Sequence, residues 1–312
     1  MDYIDHKLIP KDNSFSVGYN TDLRQEFFDS IQSYRKYIHS FFFSLTHTRS
    51  IEPLDIDKIS RELKECNTYN IPANLLLNTP ASEYICDKLI KRSREIVNLD
   101  SVSVFSRSYA KYIRDKYPDL NIHLSVQQSD KYKPKELNGI IDCINISGAH
   151  DYNNIELMNE YKKLGIKTKF IVNEGCIVGR TANMKMFPGY NNRSCCDHLC
   201  IELSSKEPWL NLCRINLYKE SLSYYDIDIL KFSTRDIPIT GINELLKYWT
   251  MEYRTSGLYD IKITNDKYPI FLDWIKERSK CSNMCYECQK CKTYYTMMKG
   301  DCGCENKESS TN

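Results

Sequence analysis

Short runs of β-branched and aromatic residues alternate with amphipathic stretches along most of the chain. The apolar runs predict strands near 37–45, 72–77, 101–105, 121–125, 141–146 and 167–173. Apolar positions that recur at helical spacing predict helices near 57–66, 82–96, 107–117 and 153–164. Asp55 stands where an N-cap residue is favoured, just before the first of these helices. This alternation is typical of a parallel α/β fold.

The later part of the chain extends the same pattern. A strand near 229–233 and a helix over 242–256 supply an eighth unit. The seventh strand is expected near 214–219, after a long insertion at 177–213. We therefore predict an α/β fold with a (β/α)8 TIM-like barrel that need not be regular. A doubly wound open sheet would give the same local pattern.

The same pattern predicts where the domains end. The expected divisions are a barrel over 1–274 that includes the insertion, a cysteine-rich metal-binding tail over 275–304 and a disordered end over 305–312.

Polar residues follow most of the predicted strands. In a barrel the carboxyl ends of the strands form the active face, so these residues are candidate site residues. Polar strand ends also occur in barrels for which they have no function, and that interpretation stays open for each of them. They are Ser44, Asn78, Ser106, Ser125, Gln127, Ser147, Asn173, Glu174 and Arg235.

Composition excludes some classes of partner. The chain has 312 residues, of which 27% are charged, and a formal net charge of +2. Such a balance predicts no dominant electrostatic partner, so no DNA is expected. The N-terminus lacks the basic start and apolar run of a secretory signal, and no apolar run reaches the roughly 18 residues of a membrane span. We therefore predict a cytoplasmic protein with no membrane partner.

The 14 cysteines change the picture, because thiols in a reducing compartment more often bind metals than form disulfides. A first cluster contains Cys176, Cys195, Cys196, Cys200 and Cys213. Gly175 precedes Cys176 at a predicted strand end, where a glycine lets the backbone approach a bulky cofactor. Thiolates are soft ligands that suit an iron–sulfur cluster or zinc. The alternative is that these are ordinary thiols, with Cys176 a small buried residue.

A second cluster occupies the tail and has the close spacing typical of a metal site. It consists of Cys281, Cys285, Cys288 and Cys291, followed by Cys302 and Cys304. Zinc competes with iron here, because four of these thiolates could form a closed tetrahedral site. Among the histidines, His198 lies between candidate ligands, whereas His123 lies within a predicted strand and is interpreted as a satisfied core residue.

Three segments together resemble the peptidase U32 family, whose members were first called collagenase-like proteases. They are the run Lys169–Cys176, the later cysteines Cys196, Cys200 and Cys213, and the element Lys231–Arg235. The resemblance covers roughly 35–260. It implies a barrel that holds a [4Fe-4S] cluster through four cysteines. Better-understood relatives hydroxylate RNA bases or the ubiquinone ring without oxygen, and some are thought to take the oxygen atom from prephenate.

The resemblance also assigns ligands by position. Cys176 matches the first family cysteine, Cys196 and Cys200 fall in the following cysteine region, and Cys213 is the best remaining ligand. The family's second cysteine has no counterpart, because Gly179, Arg180 and Thr181 occupy its place. A tail cysteine could complete the cluster, and the tail could equally hold a second cluster or zinc.

The leading hypothesis is an iron–sulfur enzyme that hydroxylates or otherwise oxidises or reduces a substrate at the barrel mouth. In this hypothesis Glu174 and His198 transfer protons, Arg235 holds an anionic group, and Asn173 and Gly175 lie against the cofactor. The substrate could be a peptide, an RNA or a small molecule. One alternative is a peptidase, for which no nucleophile with a matching base is visible.

The other alternative is a non-enzymatic, metal-dependent binding or maturation partner of a peptide or RNA. Its contacts would come from the basic and aromatic residues of the tail, which are Lys290, Lys292, Tyr294, Tyr295 and Lys299.

Overall fold

Eight parallel strands close into a barrel in the computed structural model of the chain. The structure describes residues 11–45, 56–77, 83–126, 131–146, 154–172, 209, 218–234, 238–250, 266–280 and 289–299. The strands are β1 (Phe15–Gly18), β2 (Ile38–Phe43), β3 (Ala73–Leu77), β4 (Leu99–Val104), β5 (Asn121–Leu124), β6 (Cys143–Ile146), β7 (Lys167–Ile171) and β8 (Ile229–Phe232). Each strand pairs with the next, and β8 pairs with β1. The predicted (β/α)8 fold class is confirmed.

Helices connect most of these strands. They are α1 (Gln25–Gln32), α2 (Ile56–Cys66), α3 (Glu83–Ile96), α4 (Arg107–Lys116), α5 (Pro134–Leu137) and α6 (Ile155–Lys163), with α7 (Ile239–Thr250) after the last strand. Side-chain caps fix two of the helix starts. The Ser106 hydroxyl accepts a hydrogen bond from the backbone N–H of Tyr109, and the Asn154 side chain accepts one from the backbone N–H of Leu157. Among the described residues, no helix is long and apolar enough to span a membrane.

The number of strands agrees with the sequence prediction, but the assignment of the first and the seventh strand differs. The first strand, Phe15–Gly18, was not predicted, because only Phe15 and Val17 are strand-forming apolar residues and Gly18 is of a type depleted in strands. The strand at 167–171 is therefore the seventh, and it pairs directly with β8. The seventh position in the barrel, predicted near 214–219, is therefore taken by 167–171. Residues 214–217 lie outside the described residues, and Lys219–Ser223 forms a 3-10 helix.

The outward face of the barrel strands is apolar and aromatic, since it packs under the helices. Phe41 of β2 meets Phe28 of α1 edge-on, with ring centroids 5.2 Å apart. Phe232 of β8 meets Trp249 of α7 in the same way at 5.7 Å. All four rings are buried. The inward face of the strands, in contrast, carries many polar side chains.

The chain divides into two compact units. The first comprises Met1–Glu174 with Asn216–Tyr253 and contains the barrel. The second comprises Gly175–Ile215 with Arg254–Asn312. Within the second unit, α8 (Tyr268–Arg278) packs against α9 (Lys290–Lys299).

Polar contacts join α8 to α9, and two of them involve charged residues. Lys290 forms an ion pair with Glu277 at 2.8 Å. The Tyr294 hydroxyl donates to the Asp273 carboxylate at 2.6 Å, and this bond raises the pKa of Tyr294 to about 12.

Candidate functional site

The interior of the barrel is lined with polar side chains, whereas branched apolar residues usually fill this space. Strand register places these residues on one face, because Ser16 pairs with Ser40, Asn74 with Ser101 and Asn145 with Lys169. We call this set the polar lumen. Its members, all buried, are Ser16, Ser40, Asn74, Ser101, Ser103, His123, Asn145 and Lys169.

Lys169 and His123 meet inside this lumen. The Lys169 Nζ lies 3.1 Å from His123 Nδ1 and 3.4 Å from the Ser16 hydroxyl. The strands β5 and β7 are not neighbours, so the contact between their side chains crosses the barrel interior. Neither contact partner of the amine carries a negative charge. Burial therefore dominates and lowers the pKa of Lys169 from 10.5 to about 8.

Hydrogen bonds fix the orientation and proton position of His123. The Ser103 hydroxyl donates to Asn74 Oδ1 at 2.7 Å, and Asn74 Nδ2 donates to the Ser101 hydroxyl at 2.8 Å. The same Asn74 nitrogen lies 3.3 Å from His123 Nδ1. Because an amide nitrogen can only donate, Nδ1 is the acceptor and the ring carries its proton on Nε2. Burial, with the nearby charge of Lys169, holds the pKa of His123 well below its usual value.

The polar contacts continue toward the amino ends of the strands. The Ser40 hydroxyl donates to Ser16 Oγ at 3.2 Å, and His39 Nδ1 lies 3.1 Å from Ser40 Oγ. His39 is an extra residue in β2, because the pairing with β1 shifts by one position between Phe15 and Ser16. Burial lowers the pKa of this half-buried histidine to about 4, and the charge of Lys169 adds to the effect. A connected row of polar atoms thus runs from His39 to Lys169 and on to Ser103.

Asn145 has an unused hydrogen-bond acceptor in the lumen. Its Nδ2 donates to the Leu124 carbonyl at 2.6 Å, whereas its buried Oδ1 has no hydrogen-bond partner among the described residues. Asn145 is the register partner of Lys169, so its side chain belongs to the same part of the lumen. A buried acceptor without a donor costs about 1–3 kcal/mol, and bound ligands commonly satisfy such groups.

Most of the predicted site residues lie outside the described residues. They are Asn78, Gln127, Ser147, Asn173, Glu174, Gly175, Cys176, Cys195, Cys196, His198, Cys200, Cys213, Arg235, Cys281, Cys285, Cys288, Cys302 and Cys304. Within the described part of the chain, no three His, Cys, Asp or Glu side chains form a group that could hold a metal. Of the predicted strand-end residues, Ser106 caps α4 and Ser125 is buried.

Cys291 is the one predicted ligand that falls in the described ranges. It lies in the first turn of α9 and is not part of a disulfide. The Trp274 Nε1 donates a hydrogen bond to its sulfur at 3.4 Å. Thiolate ligands in metal centres accept N–H bonds of this kind, which orient the sulfur and stabilise its negative charge. The role of Cys291 as a metal ligand stays a prediction.

Sequence reasoning missed Lys169 and Asn74 as site residues. Both occupy the centres of strands, where polar residues are uncommon, and this was the available signal. The interpretation of His123 as a satisfied core residue is confirmed as to burial and hydrogen bonding. Its contact with a buried lysine was not foreseen.

Comparison with known proteins gives similarity only to solved structures. No family model matches the chain, and no curated protein matches it. One similar structure is CitE from Mycobacterium tuberculosis complexed with the triphosphate group of ATP, with a TM-score of 0.43, 7% identity and coverage of 77% of this chain and 98% of that chain. Another is CitE from the same organism in complex with magnesium and acetate, with a TM-score of 0.42, 7% identity and coverage of 78% and 93%. Similarity this low carries no functional conclusion, and the resemblance to peptidase U32 stays a prediction.

Proposed function

We propose that this chain is an iron–sulfur enzyme of the U32-like type. Its reaction would be an oxygen-independent hydroxylation, or a related redox modification, of a substrate bound at the carboxyl ends of the barrel strands. The observation that carries the enzymatic part is the contact between Lys169 and His123 in the polar lumen. A barrel needs no buried amine for stability, and perturbed titratable groups cluster at functional sites.

The cysteines support the cofactor part of the proposal. Strand β7 carries Lys169 into the lumen, and the segment after its last residue, Ile171, contains Cys176. With Cys196, Cys200 and Cys213 this thiol would supply four soft ligands. When bound, a cluster would supply Lewis acidity or relay an electron.

The protein's own groups would bind the substrate and move protons. A lysine with a pKa of about 8 can hold an anionic group as an ammonium ion or exchange a proton near neutral pH. Burial keeps His123 neutral and Asn74 fixes its orientation, so it offers a fixed acceptor to the amine. Glu174, His198 and Arg235 keep the proposed roles of proton transfer and anion binding.

Metal analysis of protein purified without oxygen tests the proposal. We expect iron and acid-labile sulfide in the wild-type chain, and we expect Cys176→Ala to lose both. Cys86→Ala is the matched control, because Cys86 is buried in α3 and is not a predicted ligand. It should keep its iron. A wild-type chain without iron and sulfide would overturn the proposal, and full iron in Cys176→Ala would remove that cysteine from the ligand set.

A further inference from the structure

The amine of Lys169 has the chemistry of a nucleophile. Its side chain is 1% exposed, and its polar contacts are the neutral side chains of Ser16 and His123. Burial without an anionic partner favours the uncharged amine, and lysines activated in this way attack carbonyl groups. At pH 7 a lysine with a pKa of about 8 is neutral on the order of 100 times more often than an exposed one.

The lumen also offers an acceptor for the product of such an attack. Addition of an amine to a carbonyl group creates a hydroxyl, which needs a hydrogen-bond acceptor. Asn145 Oδ1 is buried and has no partner in the described part of the chain, and it belongs to the residue paired with Lys169 across β6 and β7. Two independent features of the lumen, an activated amine and an unused acceptor, therefore suit the same ligand.

A second lysine indicates the charge of that ligand. Lys231 of β8 pairs with Ile171, two positions beyond Lys169 toward the carboxyl end of β7. Its Nζ lies 4.4 Å from the centroid of the Phe42 ring. Phe42 approaches the backbone of Gly18 so closely that a Cβ atom there would lie 2.8 Å from the ring. A cation held near the mouth side of Lys169 would attract a carboxylate.

We propose that Lys169 forms an imine with a small carbonyl compound that carries a carboxylate, such as a 2-oxo acid. The Nζ lone pair attacks the carbonyl carbon, and a C–N bond forms as the C=O π bond opens to a hydroxyl. That hydroxyl then takes up a proton and leaves as water, while Nζ loses the protons it carried and a C=N bond remains. No oxidant or reductant is consumed. His123 Nδ1, at 3.1 Å, is the acceptor for a proton that leaves Nζ.

Reductive trapping tests this assignment in the intact wild-type chain. Pyruvate with sodium cyanoborohydride converts an imine into a stable secondary amine, which is located by mass spectrometry of proteolytic peptides. We expect Lys169 to be labelled at least about 10-fold faster than Lys167, an exposed lysine of the same strand. We also expect pyruvate to label it faster than acetone, which lacks the carboxylate.

Two substitutions distinguish the loss of the Lys169 amine from the loss of folded structure. Lys169→Met should lose the fast labelling and Lys167→Met should keep it, with circular dichroism confirming that both variants are folded. Labelling of Lys169 no faster than that of Lys167 in the wild-type chain would overturn the proposal. Equal labelling by acetone would overturn the carboxylate requirement. The result does not depend on iron, so it is independent of the outcome of the metal analysis.

Discussion

At the scale of single residues, burial of an amine among uncharged partners determines what the barrel interior can do. Lys169 exchanges its water shell for contacts with Ser16 and His123, and its pKa falls to about 8. His123 stays neutral for the same reason. Near neutral pH the titrating proton of the pair therefore lies on Lys169, from which it can pass to a ligand, and the pair does not carry two fixed charges.

The lowered pKa of Lys169 makes a prediction about stability and pH. In the unfolded chain this lysine keeps a pKa near 10.5, so between pH 8 and 10.5 the unfolded state binds more protons than the folded state. The destabilising effect of the buried charge is fully present below pH 8 and is lost as the pH rises through that window. We expect Lys169→Met to be more stable relative to wild type at pH 7 than at pH 10, by up to about 3 kcal/mol.

Urea unfolding of both proteins at the two pH values measures this difference. Lys167→Met is the control, because Lys167 is exposed on the same strand and its substitution should have an effect that does not change with pH. A stability difference for Lys169→Met that is the same at pH 7 and pH 10 would show that the amine is not desolvated.

At the scale of secondary structure elements, the strand pairing is irregular at two positions, and each register shift changes the direction of side chains on one strand. The pairing of β1 with β2 shifts at His39, and the pairing of β3 with β4 shifts at Asp100. Both shifts lie near the amino ends of the strands, opposite the expected active face. His39 lies within electrostatic range of Lys169 and Asp100, so the amino end of the lumen also contains titratable groups.

His39 should make the barrel sensitive to acid. Its pKa is about 4 in the folded chain and about 6.5 when unfolded, so the unfolded state takes up a proton first as the pH falls. Stability is therefore lost between pH 6.5 and 4. We expect His39→Gln to reduce the loss by on the order of 1–3 kcal/mol, as measured by urea unfolding across this range. Equal pH dependence in the variant and the wild type would contradict this origin.

The tail cysteine Cys291, on α9, accepts a hydrogen bond from the Trp274 side chain of α8. If the tail binds metal as its spacing predicts, Cys291→Ala should lower the zinc or iron that remains bound after dialysis and increase the number of thiols that react with a colorimetric reagent. Thr293→Ala is the control, because Thr293 is exposed on the same helix. Unchanged metal and thiol reactivity in Cys291→Ala would exclude this cysteine as a ligand.

At the scale of the whole molecule, the order of the secondary structure elements could be predicted from the sequence. The side-chain contacts inside the barrel could not. Most strands and helices could be predicted because their apolar residues repeat over several positions, as in α3 and β4. The strand Phe15–Gly18 has only two such residues, Phe15 and Val17, and it ends in a glycine, which is depleted in strands. Lys169 could be placed on a strand, but its contact with His123 depends on two strands that are not neighbours. No local pattern encodes a contact across a closed barrel.

Closure of the barrel has a consequence for how the chain folds. The last pairing joins Phe15 to Leu230, residues near the two ends of the barrel sequence. During synthesis on the ribosome, β1 lacks its partner β8 until almost the whole barrel sequence has been made. Water can reach Lys169 and His123 until β8 pairs with β1. The free-energy cost of desolvating these two side chains therefore belongs to the closure step. We expect this closure to be the slowest folding step.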